Sequence, residues 1–290
     1  MAIYGNEALI QMTPALKASL ASSFGLDQPV WKQFGIYIFS LLKGDLGYSF
    51  YHHTSVLKVI CSYLPWTILL MGTAFILATV IGVILGLESG WRRGKKFDKS
   101  LLITMMSLSG FPSFFVGIFF LLIFSVYLGI LPLQGSQTAY AGLSGIGLVF
   151  NILKHLILPL LSLVMVFLSG NYLLTRNSMI MVINEPFILT ARAKGLSDIK
   201  VRYKHAGRNV LLPVVTATGV RFGSMAVTGA LFVEIVFSYP GMGSLIYNSL
   251  IRRDYPVLQG TLFIITLFVL GVNLTVDLCY KKLDPRTADA

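Results

Sequence analysis

The sequence predicts an all-α polytopic membrane protein with five transmembrane helices and short interfacial and coupling helices. Of its 290 residues, 55% are hydrophobic and 12% are charged, whereas soluble domains carry charge on about 25% of their residues. The mean hydropathy is +0.76. Because the apolar residues are concentrated in stretches long enough to cross a bilayer, composition and patterning indicate the same fold class.

Five apolar stretches meet the length of about 20 residues that a transmembrane helix needs. The run "FGIYIFSLL" at 34–42 is shorter and is typical of an interfacial or packed helix. Pro112 and Pro159 lie inside apolar stretches, where prolines are tolerated because neighbouring helices satisfy the freed carbonyl groups. The predicted spans are residues 64–87, 102–128, 155–175, 210–237 and 257–280.

The positions of the basic residues predict the topology. The net charge of +11 would suit a nucleic-acid-binding protein. However, "WRRGKKFDKS" carries five Lys and Arg residues, 176–208 carries seven and the tail after residue 280 carries three, whereas 129–153 carries none and 238–256 only two. Basic connections between spans lie on the cytoplasmic side. We therefore expect a cytoplasmic C-terminus and no nucleic-acid partner.

This alternation divides the chain into three parts. Residues 1–63 form an extracytoplasmic segment with short helices, 64–280 form the transmembrane domain with a cytoplasmic loop at 176–209, and 281–290 form a cytoplasmic tail. The first part lacks the apolar core of a signal peptide, so it would cross the membrane with no hydrophobic segment ahead of it. We therefore expect a natural version of the chain to begin with one further helix.

Two outer stretches contain turn and helix signals. After a Gly-Asp turn, Thr54 or Ser55 is placed to cap a short amphipathic helix. The stretch "FSYPGMGSLIYNSLIRRDYP" places a Pro-Gly turn before a second short helix. Both are predicted to lie on the surface along the membrane, with apolar faces formed by Val56, Val59, Ile60 and Tyr63 and by Leu245, Leu250 and Ile251.

Two pairs of glycines four residues apart lie in the first and fourth spans, Gly82 with Gly86 and Gly219 with Gly223. Such spacing lets helix backbones approach closely. We expect these pairs to serve packing inside this chain, and an interface with a second subunit is the alternative.

The basic stretch "ILTARAKGLSDIKVRY" predicts two short helices joined by a glycine elbow. Pro186 suits a first helical position, and Gly195 suits a left-handed helix end. The predicted helices are Phe187–Lys194 and Asp198–Gly207, with Phe187, Ile188 and Ala191 on one side. A small residue at Ala191 and the glycine four positions later favour a surface for a partner's cleft, and a basic loop touching anionic membrane lipid is the alternative.

Several motifs resemble one family in order along the chain. "TARAKGL" followed by "NVLLPVV" is similar to the cytoplasmic EAA loop of ABC-transporter permeases in the dipeptide/oligopeptide/nickel importer family. "GDLGYSF", "VEIVFSYPGMGSL", "RRDYPVLQG" and "NLTVDLCYKKLDPR" match the same family. The resemblance runs from about residue 25 to 286 and departs from the family in two places. The family's first helix is not matched, and Leu189-Thr190-Ala191 stands where the general motif begins Glu-Ala-Ala.

The resemblance implies a multi-pass subunit of a bacterial or archaeal cytoplasmic membrane. Its implied partners are ABC ATPase subunits, a second homologous permease subunit and an extracytoplasmic substrate-binding protein. The residues implied to couple to the ATPase are Thr190, Ala191, Arg192, Ala193, Lys194, Gly195 and Leu196. The implied outer loop motif consists of Pro240, Gly241, Gly243, Asp254 and Pro256.

Two charged residues inside the fourth span are candidates for a translocation path, because intramembrane charges are costly and often functional. Arg221 either lines a polar path or pairs with a partner subunit or a carbonyl group. Glu234 lies near the outer end and is expected to reach the interface. Asp277 in the fifth span is expected to be satisfied by Lys281 and Lys282.

No catalytic, cofactor-binding or metal-binding motif is recognisable. A P-loop needs G-x-x-x-x-G-K-[ST], whereas "GWRRGKKF" has the wrong spacing, so ATP hydrolysis is expected in a separate subunit and the chain is not expected to be an enzyme. We expect the permease subunit of an ATP-driven, binding-protein-dependent importer for di- or oligopeptides. The alternatives are a nickel or other small-solute permease of the same family, a truncated non-transporting fragment of one, and a stand-alone channel or secondary transporter.

Overall fold

The computed structural model describes residues 28–283, and most of this range is helical. A two-stranded antiparallel hairpin, β1 (Tyr48–Ser49) and β2 (Thr54–Ser55), lies between the first two helices. Two π-helical segments, Leu121–Tyr127 and Lys200–Gly207, directly follow α4 and directly precede α7. The helices are α1 (Val30–Leu42), α2 (Val56–Trp91), α3 (Lys96–Ser109), α4 (Ser113–Phe120), α5 (Gly145–Val182), α6 (Pro186–Ala193), α7 (Arg208–Val236), α8 (Met242–Ile251) and α9 (Tyr255–Leu283).

Within the described residues, three helices are long and apolar enough to cross a membrane: Val56–Trp91, Gly145–Val182 and Tyr255–Val276. Lys96–Ser109 and Ser113–Tyr127 form a fourth candidate, bent by 99°. The chain is therefore a multi-pass helical membrane protein. Helix α7 covers the predicted span 210–237. The predictions for residues 1–27 and 284–290, and for the side chains of Asp277, Lys281 and Lys282, lie outside the described part of the chain, as does that for Gly223.

The predicted span 102–128, with Pro112 as a break inside it, corresponds to two helices that meet at a bend of 99°. Helix α3 ends at Ser109, and the chain turns through Gly110 and Phe111 before α4 begins after Pro112, which is extended (φ −62°, ψ 143°). Proline lacks the N–H for a helical hydrogen bond and disfavours helical geometry in the residue before it. Pro159, by contrast, lies inside an unbroken α5 as predicted.

The prediction of a separate short helix after Ser55 is wrong, because these residues form the first part of α2. Ser55 precedes this helix without a side-chain cap, and the helix then runs for 36 residues through Pro65 to Trp91. Val56, Val59 and Ile60 are buried as the pattern predicted, together with Met242, Leu245 and Val257. Because this contact covers one face of α8, the second outer helix is packed rather than lying freely on the surface, although Leu250 and Ile251 remain exposed.

The packing of α2 on α5 forms the centre of the bundle, and α5 also contacts α3, α4 and α7. A Cβ atom on Gly82, Gly86 or Gly90 would lie 2.9, 2.6 or 2.7 Å from the Cβ atom of Asn171, Thr175 or Met179, respectively. A Cβ atom on Gly219 would lie 2.5 Å from Cγ2 of Val276 in α9. The expected use of these glycines for packing inside the chain is therefore confirmed at Gly82, Gly86 and Gly219.

We expect Gly86→Ala to destabilise the protein, because its new methyl group would overlap Thr175 on α5. Overpacking of this kind costs about 1–3 kcal/mol. The matched control is Gly72→Ala in the same helix, where no atom lies within 4 Å of the new methyl group and alanine favours the helix by about 1 kcal/mol. Thermal unfolding of the purified protein in detergent measures both variants, and equal melting temperatures would contradict the packing described.

Candidate coupling and outer-loop sites

The segment between α5 and α7 has the predicted elbow. Pro186 occupies a first-turn position of α6, and Gly195 has a φ of +73° in the left-handed region. Asp198 and Ile199 then lead into the π-helical segment Lys200–Gly207, which continues directly into α7. Two helical arms joined at a glycine are thus confirmed, but the second arm is π-helical and does not end before the membrane span.

The elbow has a buried side and an exposed side. Ile188 and Ala191 are 0% and 4% exposed and lie in a cluster with Leu87, Met179 and Val201. Ala191 therefore faces the interior of this chain instead of projecting from its surface. The exposed side consists of Leu189, Thr190, Arg192, Ala193, Lys194 and Gly195, with Leu196 partly buried.

The elbow is attached to the C-terminal end of α2 by four residues, Glu88, Trp91, Arg192 and Arg202, which we call the Trp91 latch. Arg202 forms an ion pair with Glu88, and the guanidinium carbons of Arg192 and Arg202 lie 5.0 and 5.3 Å from the centre of the Trp91 ring. The Tyr203 hydroxyl donates to Oε1 of Glu88 at 2.6 Å. This hydrogen bond raises the pKa of Tyr203.

A second ion pair holds the basic turn after α2. Arg176 donates to both carboxylate oxygens of Asp98, at 2.6 and 2.8 Å. The hydroxyl of Ser89 donates to Asp98 at 2.6 Å and lies 2.7 Å from the hydroxyl of Tyr172. No sequence motif predicted this cluster. The sequence signal for it was that Asp98 and Arg176 each lie next to an end of an apolar stretch.

Glu234, near the C-terminal end of α7, is fully buried, so the expectation that it reaches the interface is wrong. Its carboxyl group accepts a hydrogen bond of 2.7 Å from Thr67 and others of 2.7 and 3.3 Å from the backbone N–H groups of Gly243 and Ser244. The Thr67 hydroxyl also accepts from the N–H of Met242 at 2.7 Å. One carboxyl group therefore joins α2, α7 and the start of α8.

The glycines of the Pro-Gly-Met-Gly turn are required for this close approach. A Cβ atom on Gly241 would lie 2.1 Å from Oε1 of Glu234, and one on Gly243 would lie 2.4 Å from Cα of Leu231. Tyr239, which directly precedes this turn, is buried with its ring 5.9 Å from that of Trp66. The outer loop motif thus fits against the carboxyl group of Glu234.

Asp254 ties the hairpin to the start of α9. Its Oδ2 accepts hydrogen bonds from the hydroxyl of Ser49 at 2.5 Å and from the N–H of Tyr51 at 3.3 Å. Asp254 is only 3% exposed. Pro256, two residues later, lies beside the hairpin at Gly47, and burial lowers the pKa of the neighbouring His52.

Arg221 lies in the middle of α7, away from Glu234. The two residues are about 20 Å apart along the helix at 1.5 Å per residue. Nη1 of Arg221 lies 3.2 Å from the position that a Cβ atom on Gly170 would occupy, so the guanidinium group rests against α5. The residue is otherwise exposed on the surface of this chain. The two predicted path residues therefore lie in different environments.

We expect Thr67→Val to destabilise the protein, because it removes a donor to Glu234 and an acceptor for the N–H of Met242. An unsatisfied buried polar group costs about 1–3 kcal/mol. Thr73→Val is the matched control on the same helix, because the Thr73 hydroxyl bonds only to the carbonyl groups of Leu69 and Leu70. Thermal unfolding in detergent compares the two, and a control that is destabilised as much as Thr67→Val would rule out a special role for Thr67.

The chain is similar to membrane proteins of one transport family. The family described as "Binding-protein-dependent transport system inner membrane component" matches residues 78–289. The dipeptide transport system permease protein DppB of Escherichia coli K12 is 34% identical, over 95% of this chain and 86% of its own length. DppB of Alkalihalophilus pseudofirmus is 38% identical, over 95% and 87%. The oligopeptide transport system permease protein AppB of Bacillus subtilis is 33% identical, over 97% and 89%.

Solved structures show the same fold at low sequence identity. An inward-facing MetNI methionine ABC transporter chain is matched with a TM-score of 0.64 and 14% identity, over 78% of this chain and 97% of that one. A chain of an amino acid ABC transporter is matched with a TM-score of 0.55 and 15% identity, over 78% and 94%. The chain belongs to the family of inner membrane components of binding-protein-dependent transport systems.

Proposed function

We propose that the chain is the transmembrane permease subunit of an ATP-driven ABC importer for di- or oligopeptides. The observation that carries this proposal is the glycine elbow, which presents a basic exposed side between two apolar helices and is held rigidly to α2. The names of the relatives, which are dipeptide and oligopeptide permeases, support the cargo. ATP hydrolysis belongs to a separate subunit, since the chain has no P-loop sequence.

The proposed topology has five spans and a cytoplasmic C-terminus, with α7 as the fourth span. The basic residues after Trp91 and within 176–208 support this orientation. The elbow then faces the cytoplasm, and the hairpin and α8 face the exterior. Residues 1–63 and 281–290 form the outer segment and the inner tail of this arrangement.

The coupling surface is proposed to be the exposed side of the elbow, from Thr190 to Leu196. Arg192 and Lys194 supply positive charge there, and Thr190 and Ala193 are also exposed. Ala191 contributes from inside, because its small buried side chain lets α6 lie close to the rest of the bundle. ATPase subunits of opposite surface charge would dock on this side.

The outer loops are proposed to receive an extracytoplasmic substrate-binding protein. Glu234 and Asp254 hold those loops in shape from below. Exposed aromatic side chains above them, those of Tyr48, Tyr51 and Tyr247, are 50%, 48% and 45% exposed and would contribute to the docking surface. Pro240, Gly241, Gly243 and Pro256 give the loops their backbone path.

The translocation path is proposed to pass Arg221, because charged residues inside membrane helices often mark substrate paths. A second homologous permease subunit would supply the other wall of that path. Glu234 contributes at the outer end by fixing the loop above it. The function is tested by measuring the uptake of labelled dipeptides into vesicles that contain both permeases, the ATPase subunits and the binding protein. If nickel, and not unlabelled peptide, competed with this uptake, the assignment of peptides as the cargo would be overturned.

We expect Gly195→Val to uncouple ATP hydrolysis from peptide uptake while the protein still inserts. A β-branched residue is strongly disfavoured at a positive φ, so the angle between the two arms must change. Uptake should fall about fivefold or more, the size of typical coupling energies, with hydrolysis continuing. Gly195→Asn is the matched control because asparagine tolerates the left-handed region. Normal uptake by Gly195→Val would count against the coupling role.

A further inference from the structure

We propose that α2 is the element that carries the movement of the coupling elbow across the membrane, and that the Trp91 latch is its attachment point. This inference rests on the proposed function and specifies which helix receives the movement. It assigns positioning roles to Trp91 and Glu88.

The Trp91 ring is contacted from both arms of the elbow. Arg192 belongs to α6, before Gly195, and Arg202 belongs to the π-helical segment after it. Their guanidinium carbons lie 5.0 and 5.3 Å from the ring centre, within the range of attraction between a cation and an aromatic face. Because one side chain of α2 holds both arms, the angle at Gly195 is set relative to α2.

Glu88 reinforces this attachment one helical turn before Trp91. It pairs with Arg202 and accepts from the Tyr203 hydroxyl, and the side chains of Glu88 and Arg202 are only 16% and 12% exposed. Arg92 also pairs with Glu88 at 2.9 Å, within α2. An ion pair shielded in this way is strong only while its partners stay in contact, so the second arm and the end of α2 move together.

Other cations of the same segment differ from the latch. Lys194, Lys200 and Lys204 are exposed. These lysines belong to the basic side that is available to a docking ATPase. Arg202 contacts the Trp91 ring from a partly buried position. Arg192 is exposed on the docking side and also contacts the Trp91 ring, so it belongs to both the coupling surface and the latch.

The opposite half of α2 contacts the outer loop. Thr67 hydrogen bonds both to Glu234 and to the N–H of Met242 at the start of α8. Thr67 and Glu88 are about 32 Å apart along the helix at 1.5 Å per residue. Between them, Gly82 and Gly86 pack directly on α5. A shift of the elbow would therefore move one continuous, closely packed helix and, through Thr67, its contacts with Glu234 and Met242.

The test uses the complete transporter in lipid vesicles and compares Trp91→Leu with Trp91→Phe. Leucine keeps an apolar side chain but has no aromatic face, whereas phenylalanine keeps the face. We expect Trp91→Leu to lower the peptide taken up per ATP hydrolysed by about tenfold, within the range of coupling energies, and Trp91→Phe to restore most of it. Equal ratios for wild type and Trp91→Leu would overturn the proposal.

A second variant guards against misfolding of Trp91→Leu. Glu88→Gln removes the charge but keeps the size of the side chain, and Arg93→Gln, which removes an exposed charge from the same inner turn, is its control. We expect Glu88→Gln to lower the coupling ratio and Arg93→Gln to leave it unchanged. Two variants that behave alike would overturn the proposal.

Movement of α2 itself is measured with a fluorescent label on Cys61, which is exposed near the outer end of that helix, in a Cys279→Ser background. ATP should change the label signal in wild type, and Trp91→Leu should abolish that change. This fluorescence change does not require cargo, so it tests the latch even if the wild-type transporter takes up no peptide. Absence of peptide uptake by the wild type would overturn only the assignment of the cargo. An unchanged signal in wild type, or a full response in Trp91→Leu, would overturn the inference.

Discussion

The close packing of α2 against α5 is the constraint on which the rest of the structure depends. Three glycines on α2 meet Asn171, Thr175 and Met179 on α5 at distances that leave no room for a methyl group. Lipid tails are as apolar as leucine, so helices in a bilayer associate through van der Waals contact and not through the hydrophobic effect. This contact also brings the hydroxyl of Ser89 within hydrogen-bonding distance of Tyr172. Ser89 in turn donates to Asp98, which pairs with Arg176.

Buried carboxyl groups serve one purpose at both ends of the bundle: each joins a loop to a helix. Glu234 holds the turn before α8, Asp254 holds the hairpin, and Asp98 holds the basic turn after α2. A charge removed from water is tolerated only with close partners, and each of these groups has donors from at least one other element. These loops are thereby positioned by the helices beneath them.

The elbow between α5 and α7 illustrates how a basic loop acquires a defined shape. Its cations alone would be expected to extend into solvent, and the cluster around Ile188 and Ala191 prevents this by burying one side. The Trp91 latch then attaches both arms to α2. As a result, a segment of short helices is packed against the helical bundle on one side.

Local features of the fold were predictable because they depend on residues close together in the chain. Apolar length located most of the spans, and Pro186 with Gly195 located the elbow, since both residues restrict or extend the allowed backbone angles wherever they occur. The bend at Pro112 was not predictable in the same way, because Pro159 sits in an equally apolar stretch without breaking its helix. The partners of the buried groups were also hidden: Thr67 lies 167 residues from Glu234, and Ser49 lies 205 residues from Asp254. Such pairs are determined by helix packing, which brings together residues far apart in the sequence. A local sequence pattern contains no information about these contacts.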